Sequence, residues 1–303
     1  MWSRRTPRNS SEGRDLISSK LIPKFEMAQA HYDVSDEFFR LFQDPTQTYS
    51  CAYFEREDMT LEEAQIAKID LSLGKLGLEP GMTLLDIGCG WGACINRALD
   101  KYDVNVIGLT LSKNQVAHVQ SLLDMNPSKR SKSVQLRGWE EWEGKVDRIV
   151  SIGAFEHFDF DRYDEFFDIT YKSMPTDGVM LLHTITVLTV KEMIAKGLPL
   201  TLRKARFIKF MLEEIFPGCR LPTLEMVPDH AAKAGYTCTR VQQLQSHYCK
   251  TMDMWSAGLK AHKDEAIALQ GEEMYNRWDH YLSGCAQLFH EGYLDIAQYT
   301  LEK

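Results

Sequence analysis

The sequence predicts an α/β protein built on a parallel sheet that is covered by helices on both faces. From residue 80 onwards, short apolar runs alternate with helix-compatible stretches. One of these runs, residues 83–87, leads into three alternate glycines and then into helix-compatible residues. This order indicates a strand, a tight turn and the start of a helix. The last two predicted strands are typical of an antiparallel pair that finishes the sheet.

The individual elements follow from apolar spacing and from turn signals. Strands are expected at residues 83–87, 104–108, 133–137, 147–152, 178–185, 237–244 and 296–301. Helices are expected at residues 25–42, 114–123, 204–216, 251–262 and 272–290. A further helix begins at Thr60, which forms a capping box with Glu63, and runs towards Gly77.

The predicted elements suggest one domain with two additions. We expect residues 1–21 to be a mobile tail and residues 22–303 to form a single domain. Residues 22–79 would form an N-terminal helical cap. The strand and helix rhythm changes after residue 185, so residues 186–232 are predicted to be a lid inserted over the site.

Composition excludes several classes of protein. The formal net charge of −8 argues against a general nucleic-acid binder, whose affinity comes mainly from neutralised phosphates. Seven cysteines without a CxxC pair favour free thiols in a reducing compartment and give no metal signature. The apolar run at 178–182 is stopped by His183 and is too short to span a bilayer. We therefore expect a cytoplasmic protein without a transmembrane segment or a metal.

The glycine loop after the first strand is the strongest functional signal. A side chain at Gly88 or Gly90 would hold a nucleotide-like ligand away from the backbone N–H groups. A dinucleotide site would need an acid at the end of the next strand, but residues 109–112 contain no carboxylate. Asp86, at the strand end two residues before the first glycine, fits S-adenosylmethionine instead. A plain turn between a strand and a helix is the remaining alternative.

Three further motifs, in order along the chain, add to the glycine loop. They are residues 49–54 (YSCAYF), 108–115 (GLTLSKNQ) and 153–158 (GAFEHF). Together they closely resemble the mycolic acid cyclopropane synthases, which are S-adenosylmethionine-dependent enzymes, over about residues 22–303. The resemblance implies a Rossmann-like class I methyltransferase fold. That fold has a seven-stranded, mostly parallel sheet with an antiparallel last strand and a helical lid.

The resemblance also implies which residues hold the cofactor. Tyr49 and Ser50 would lie near its amino-acid end, Thr110 and Gln115 at the ribose, and Trp139 with Glu140 at the adenine. The implied cradle and the segment beside the ribose comprise Leu84, Leu85, Asp86, Ile87, Gly88, Cys89, Gly90, Trp91, Gly92, Leu111, Ser112, Lys113 and Asn114. The residues themselves agree in part, because Thr110 and Gln115 are polar groups where the usual acid is missing. For Trp139 the alternative is an ordinary core aromatic.

For catalysis the resemblance implies a bicarbonate ion held beside the methyl group. Its ligands would be the side chains of Glu156, His183 and Tyr248 and the main chain around Cys51 and Ile152. A base is needed because methyl transfer to a cis double bond creates a carbocation, and ring closure then requires loss of a proton. Without the resemblance, Glu156 would be interpreted as a helix cap or a solvated residue, His183 as a core histidine and Tyr248 as an aromatic anchor.

Two other side chains are implied with different roles. Tyr32 offers an aromatic face that attracts developing positive charge. Cys285 would line the pocket rather than act as a nucleophile, because an alkene acceptor needs no covalent enzyme intermediate.

The implied substrate is a very long unsaturated acyl chain on an acyl carrier protein. Apolar residues at helical spacing could line a tunnel for it or could form plain core, namely Phe207, Phe210, Met211, Leu212, Ile215 and Phe216. Carrier proteins are acidic, and a basic patch could meet one or could be an ordinary solvated face. Its members are Lys191, Lys196, Arg203, Lys204, Arg206 and Lys209.

Within the resemblance, hydroxylating members tend to have an acid where this chain has Gly153, and the trans-cyclopropanating type lengthens the loop after Phe158. This chain has neither feature, so we expect cis-cyclopropanation, with a preference for the distal double bond. Two alternatives remain open. One is a hydroxymycolate-type enzyme in which water traps the cation. The other is a non-catalytic protein that binds lipid or carrier and keeps only the fold.

Overall fold

The structure, a computed structural model, describes residues 36–303. The expected tail at 1–21, the start of the expected helix at 25–42 and the candidate Tyr32 lie outside the described residues.

Seven strands form one sheet in this part of the chain, in the order β3-β2-β1-β4-β5-β7-β6. The strands are β1 (Thr83–Ile87), β2 (Asn105–Thr110), β3 (Lys132–Leu136), β4 (Arg148–Ile152), β5 (Val179–Val187), β6 (Thr237–Gln243) and β7 (Leu294–Glu302). Neighbours from β3 to β5 are parallel, whereas β7 runs antiparallel to both β5 and β6. The predicted α/β class and the seven-stranded, mostly parallel sheet are confirmed.

Helices cover both faces of the sheet and one end of it. They are α1 (Asp36–Arg40), α2 (Leu61–Gly74), α3 (Ala93–Tyr102), α4 (Lys113–Met125), α5 (Tyr163–Ser173), α6 (Val190–Ala195), α7 (Leu202–Phe210), α8 (Met226–Ala234), α9 (Gln245–Ala261), α10 (Lys263–Gln270) and α11 (Glu272–His290). The capping box predicted for α2 is present, with both reciprocal bonds between Thr60 and Glu63.

The topology places the site. β1 pairs with β2 on one side and with β4 on the other, so the connections after β1 and β4 leave in opposite directions along the sheet. In open parallel sheets a crevice forms at this reversal, outside the carboxyl ends of the strands. The glycine loop after β1 and residues 153–158 after β4 lie at this edge.

Three apolar clusters hold the layers together. One packs α5 and α8 on one face of the sheet, and a second packs α2, α3 and α4 on the other face. The third is largely aromatic and joins α1, α9 and α11 to the glycine loop through Trp91. The site therefore lies where the sheet edge meets a separate helical layer.

The connection between β5 and β6 has two parts. Its first part contains α6, α7 and a wide π-helical turn at Met211–Ile215. The single helix predicted at 204–216 therefore ends at Phe210 and continues with different geometry. The second part is α8, whose Val227 and Ala231 are buried in the cluster on the sheet. The end of the range predicted as a lid thus belongs to a helix packed on the sheet.

Within residues 36–303 no helix combines the length and the apolar character needed to cross a bilayer. The same residues contain no group of three or more His, Cys, Asp or Glu side chains that could hold a metal ion.

Candidate active site

The glycine loop differs from expectation in one respect. The N–H groups of Gly88 and Cys89 both donate to the carbonyl of Leu109, at 2.9 Å, so they serve the sheet and do not face a ligand. Gly90 has a φ of +53°, and a Cβ there would point into open space. At Gly88 a Cβ would lie 2.5 Å from the Cβ of Ala154. Gly88 is therefore required by packing as well as by ligand access.

A small polar cavity of about 70 Å³ opens beside this loop. It is lined by the predicted residues Tyr49, Ser50, Asp86, Gly88, Cys89, Gly90, Trp91, Gln115 and Ile152, and also by Lys68 from α2. Asp86 is 2 % exposed, and burial raises the pKa of its carboxyl to about 7. The hydrogen bond from the Cys94 thiol and the charge of Lys68 act in the opposite direction and lower this pKa. This polar cavity brings together an acid, an ammonium and a hydroxyl.

Lys68 is a site residue that the sequence did not predict. Its side chain is 1 % exposed, and its Nζ donates to Ser50 Oγ at 2.7 Å. No carboxylate of residues 36–303 lies within 4.0 Å of this ammonium. Burial lowers the pKa of Lys68 to about 8, although nearby thiols and acids act in the opposite direction. A buried ammonium with one hydroxyl partner is a strong site for an anionic ligand group.

A second opening, the strand-end cleft, has a volume of about 120 Å³. Its lining includes the predicted residues Ile87, Thr110, Leu111, Ser112, Trp139 and Glu140. Arg162 pairs with Glu140 at 3.1 Å and lies over the Trp139 ring, 5.2 Å from its centroid. The Trp139 Nε1 is buried and has no hydrogen-bond partner in the described part of the chain. The cleft therefore combines a flat aromatic wall with a neutralised acid.

Two polar side chains in the strand-end cleft hold each other. Thr110 Oγ1 donates to Gln115 Oε1 at 2.6 Å, and Thr110 Oγ1 accepts from the N–H of Ser112 at 3.2 Å. Gln115 reaches the polar cavity as well as the strand-end cleft. The Gln115 amide is thereby fixed at the boundary of both openings.

The remaining predicted cofactor residues lie outside these two openings. Leu84 and Leu85 are fully buried in the sheet clusters. A Cβ at Gly92 would meet Val119 of α4 at 3.0 Å, so this glycine permits close packing of α4. Lys113 and Asn114, at the start of α4, are exposed.

A third opening, the apolar cavity, has a volume of about 200 Å³. Four predicted catalytic residues line it, namely Glu156, His183, Tyr248 and Cys285. Most of its other walls are aliphatic or aromatic and come from β5, α7, the π-helical turn, α9 and α11. Met211, Leu212 and Phe216 line the apolar cavity, whereas the rings of Phe207 and Phe210 pack against His280.

Glu156 is held by one oxygen. Its Oε1 accepts from the N–H of Ile185 at 2.7 Å, and its Oε2 is buried without a partner among residues 36–303. Burial raises the pKa of the Glu156 carboxyl, and the Ile185 N–H opposes that shift. The second oxygen is therefore free to exchange a proton inside the apolar cavity.

His183 is fixed in a similar way, by one nitrogen. It is fully buried in β5, its Nδ1 lies 3.1 Å from Gln298 Nε2, and its Nε2 has no partner in the described residues. Burial and the charges of Lys68 and Lys75 lower the pKa of the imidazole well below its usual value. His183 is consequently neutral at neutral pH.

The other predicted catalytic residues have distinct places. Tyr248 is on the first turn of α9, and burial raises its phenol pKa well above the usual value. Cys51 is fully buried with its thiol near the carbonyls of Ala52 and Leu244, so its side chain faces the core. Cys285 Sγ lies 3.8 Å from Met211 Sδ in the cavity wall, and burial raises its thiol pKa. Neither thiol is in the reactive thiolate form at neutral pH.

Gly153 connects the three openings. It lines the apolar cavity, the strand-end cleft and the polar cavity alike, with a φ of +70°. A Cβ at this position would point towards the Cβ of Ser50, at 3.8 Å. His157 lines both the apolar cavity and the strand-end cleft. The sequence offered a signal for Gly153, the first residue of the GAFEHF motif directly after β4, but none for Lys68.

The sheet order, with β7 inserted antiparallel between β5 and β6, and the glycine loop after β1 define an S-adenosylmethionine-dependent class I methyltransferase. The chain belongs to the mycolic acid cyclopropane synthetase family, whose model matches residues 19–299.

Individual relatives are similar over almost the whole chain. Cyclopropane mycolic acid synthase 1 of Mycobacterium tuberculosis is 63 % identical over 287 residues, which cover 95 % of this chain and 100 % of that protein. The structure of the cyclopropane synthase MmaA2 from Mycobacterium tuberculosis has 64 % identity and a TM-score of 0.92, and covers 93 % of this chain and 99 % of that one. The structure of mycolic acid cyclopropane synthase CmaA1 complexed with SAH and CTAB has 63 % identity and a TM-score of 0.91, with the same coverage.

Proposed function

We propose that the protein transfers the methyl group of S-adenosylmethionine to a cis double bond in a long meromycolyl chain and closes it to a cyclopropane. The observation that carries this proposal is the position of Gly153, at which the apolar cavity meets both polar openings. A cofactor in the polar openings and an alkene in the apolar cavity would meet at this point.

The residues of the two polar openings fit the cofactor. The strand-end cleft offers Trp139 and Glu140 for adenine, and Thr110 with Gln115 for the ribose. The polar cavity offers Lys68 for the carboxylate and Asp86 for the ammonium of the amino-acid end. The fit rests on the buried Lys68 ammonium, because an anionic group of the ligand would pair with this buried charge. When bound, the cofactor supplies an electrophilic methyl group on a sulfonium.

The residues of the apolar cavity fit the proton removal that follows. Methyl transfer leaves a carbocation on the acyl chain, and ring closure needs an acceptor for a proton of the new methyl group. Glu156 Oε2 is the acceptor at hand, or it acts through a bound bicarbonate. The neutral imidazole of His183 and the phenol of Tyr248 line the same cavity and suit such an anion.

Exclusion of water decides the product. The apolar cavity is walled mainly by aliphatic and aromatic side chains, and residues 188–221 would act as the lid that closes it. The related CmaA1 structure is a complex with CTAB, a long-chain amphiphile, and this supports a long acyl chain as the occupant of the apolar cavity. We propose that cis double bonds are the acceptors and that the distal position is preferred.

The surface beside the apolar cavity suits an acyl carrier protein. Lys191, Lys196 and Arg206 are exposed and have no ion pair within residues 36–303, whereas Lys204 pairs with Glu291 at 2.7 Å. Replacing Lys191 and Lys196 with glutamate should raise KM for a carrier-bound substrate at low salt and leave KM for the free fatty acid unchanged.

The direct test is incubation with methyl-labelled cofactor and a cis-unsaturated acyl-carrier substrate, followed by mass analysis of the lipid. A ring without added oxygen is expected. A product heavier by one water would show the hydroxymycolate-type reaction instead, and lipid without label would exclude both.

Glu156→Gln should abolish ring formation or stall the reaction after methyl transfer, since an amide cannot take the proton. The matched control is Glu165→Gln, at an exposed position on α5. Ring formation by Glu156→Gln at the wild-type rate would remove Glu156 from the mechanism.

A further inference from the structure

A polar ladder crosses the antiparallel part of the sheet behind His183. His183 on β5 is directly opposite Gln298 on β7, and Gln298 is directly opposite Gln242 on β6. Directly opposed residues in a sheet share a face, so these three side chains stand in a row. Gln298 is fully buried, which makes every hydrogen bond of its amide important.

Lys75, just after α2, determines which way the Gln298 amide points. The Lys75 Nζ donates to Gln242 Oε1 at 2.7 Å and to Gln298 Oε1 at 2.5 Å. An ammonium has donors only, so the atom of Gln298 beside it must be the oxygen. A reversed amide would place an NH₂ group against the ammonium.

The NH₂ group of Gln298 therefore points the other way, towards Ser72 and His183. Its Nε2 lies 2.9 Å from Ser72 Oγ and 3.1 Å from His183 Nδ1. Ser72 Oγ donates its own proton to the carbonyl of Lys68 at 2.8 Å, so it accepts from Gln298. The second N–H of the amide is left for His183 Nδ1.

We propose that Gln298, oriented by Lys75 and Ser72, is a positioning residue that keeps the single proton of His183 on Nε2. Nδ1 must be an acceptor, because the group that faces it is an amide N–H. The opposite tautomer would set two buried donors against each other. The Nε2–H, which has no partner among residues 36–303, is then a donor beside the apolar cavity.

The use of this donor rests on the proposed function. A fixed N–H adds a donor, beside the Tyr248 hydroxyl, to the cavity that contains the acceptor Glu156 Oε2. The donor would hold an anion or orient the carboxyl that removes the proton. With the other tautomer Nε2 would be a second acceptor beside Glu156 Oε2, and it would repel an anion instead of holding it. The ladder is therefore expected to affect kcat more than KM for the acyl substrate.

The test is a spectrum of the ligand-free protein. In protein labelled with ¹⁵N-histidine, the ring nitrogens of His183 are assigned by their loss in His183→Gln. The wild type should show a protonated Nε2 and an unprotonated Nδ1. In Gln298→Glu the carboxylate can only accept, so Nδ1 should gain a proton, and kcat should fall at least tenfold with KM little changed.

Gln242→Met is the matched control, since it removes a Lys75 partner but not the contact with His183, and the His183 signals should stay as in wild type. Lys75→Met serves as a second variant and should give a mixture of both tautomers. A protonated Nδ1 in the wild type, or an unprotonated Nδ1 in Gln298→Glu, would overturn the proposal. Because the spectrum needs neither cofactor nor lipid, it can succeed or fail independently of the cyclopropanation assay.

Discussion

Replacing Lys68 with methionine should make the ligand-free protein more stable and the cofactor complex weaker. Burial lowers the pKa of this lysine from its ordinary value of 10.5 to about 8. At about 1.4 kcal/mol for each pH unit, keeping the ammonium charged in the fold costs about 3 kcal/mol at pH 7. Methionine has a similar length and no charge. Its gain is reduced by about 1 kcal/mol because Ser50 Oγ loses a bond.

The pH dependence identifies the cause. Below pH 8 the ammonium is charged in both the folded and the unfolded state, so the full cost is present. Between about pH 8 and 10.5 the folded state has already lost the proton and the unfolded state has not, so wild-type stability rises relative to Lys68→Met. Urea unfolding of the ligand-free proteins at pH 7 and pH 10 measures this difference. Lys101→Met, on the surface beside Asp70, is the control and should change stability by less than about 1 kcal/mol.

Cofactor affinity should change in the opposite direction. Loss of a charge-assisted bond to a carboxylate costs about 1.5–3 kcal/mol, which is roughly a tenfold to hundredfold weaker Kd for S-adenosylhomocysteine by calorimetry. A cofactor analogue without the carboxylate should bind wild type and Lys68→Met alike. If Lys68→Met lowers stability at pH 7 and binds S-adenosylhomocysteine as wild type does, then the lysine is a structural residue and the reasoning is wrong.

Three other changes have definite expected results. Gly153→Ala adds a Cβ at a positive φ where the three openings meet, and it should lower kcat more than tenfold. The control is Gly197→Ala, which has a similar φ of +66° but open space around it and should leave kcat unchanged. The stability of Asp86→Asn relative to wild type, measured by urea unfolding, should rise by about 2–3 kcal/mol between pH 5 and pH 8. Burial raises the pKa of the Asp86 carboxyl to about 7, so ionisation of this acid destabilises the wild-type fold as the pH rises through this range. Cys285→Ala should keep kcat within about threefold in the labelled-methyl assay, since its buried thiol is neutral, and a loss above a hundredfold would contradict a wall role.

The fold was predictable where local signals decide it. β1 was predicted with the bounds found, Thr83–Ile87, because an apolar run between a Pro-Gly pair and a glycine loop has little freedom. The start of α9 was not, since the helix was expected at residue 251 and begins at Gln245. Its N-cap position is Leu244, whose side chain makes no capping bond, so the sequence carries no start signal there. The bond from the Leu244 N–H to Ile296 on β7 positions this end instead.

The site was predictable only in its local parts. Residues next to a glycine or at a strand end could be expected at the openings, and Asp86 and Trp139 do line them, because the topology of a parallel sheet collects strand ends at one edge. Lys68 and Gln298 could not be found in this way. Lys68 is on a helix and reaches back to Ser50, and Gln298 meets His183 across 115 residues of sequence. Such partners are defined by the register between distant elements, which no local pattern encodes.

Burial shifts the pKa values of the four titratable groups around the junction in the direction that favours the neutral form of each. The pKa values of Asp86 and Glu156 are raised and those of Lys68 and His183 are lowered, in each case chiefly by burial. Each group is thereby moved towards its neutral form in an environment with little water. A carboxylate with a raised pKa is a stronger base once ionised, and in the proposed reaction a carbocation beside it would meet that base before it met water. In the proposed reaction ring closure and hydroxylation would both start from this cation, so the dryness of the apolar cavity at Gly153 would select between them.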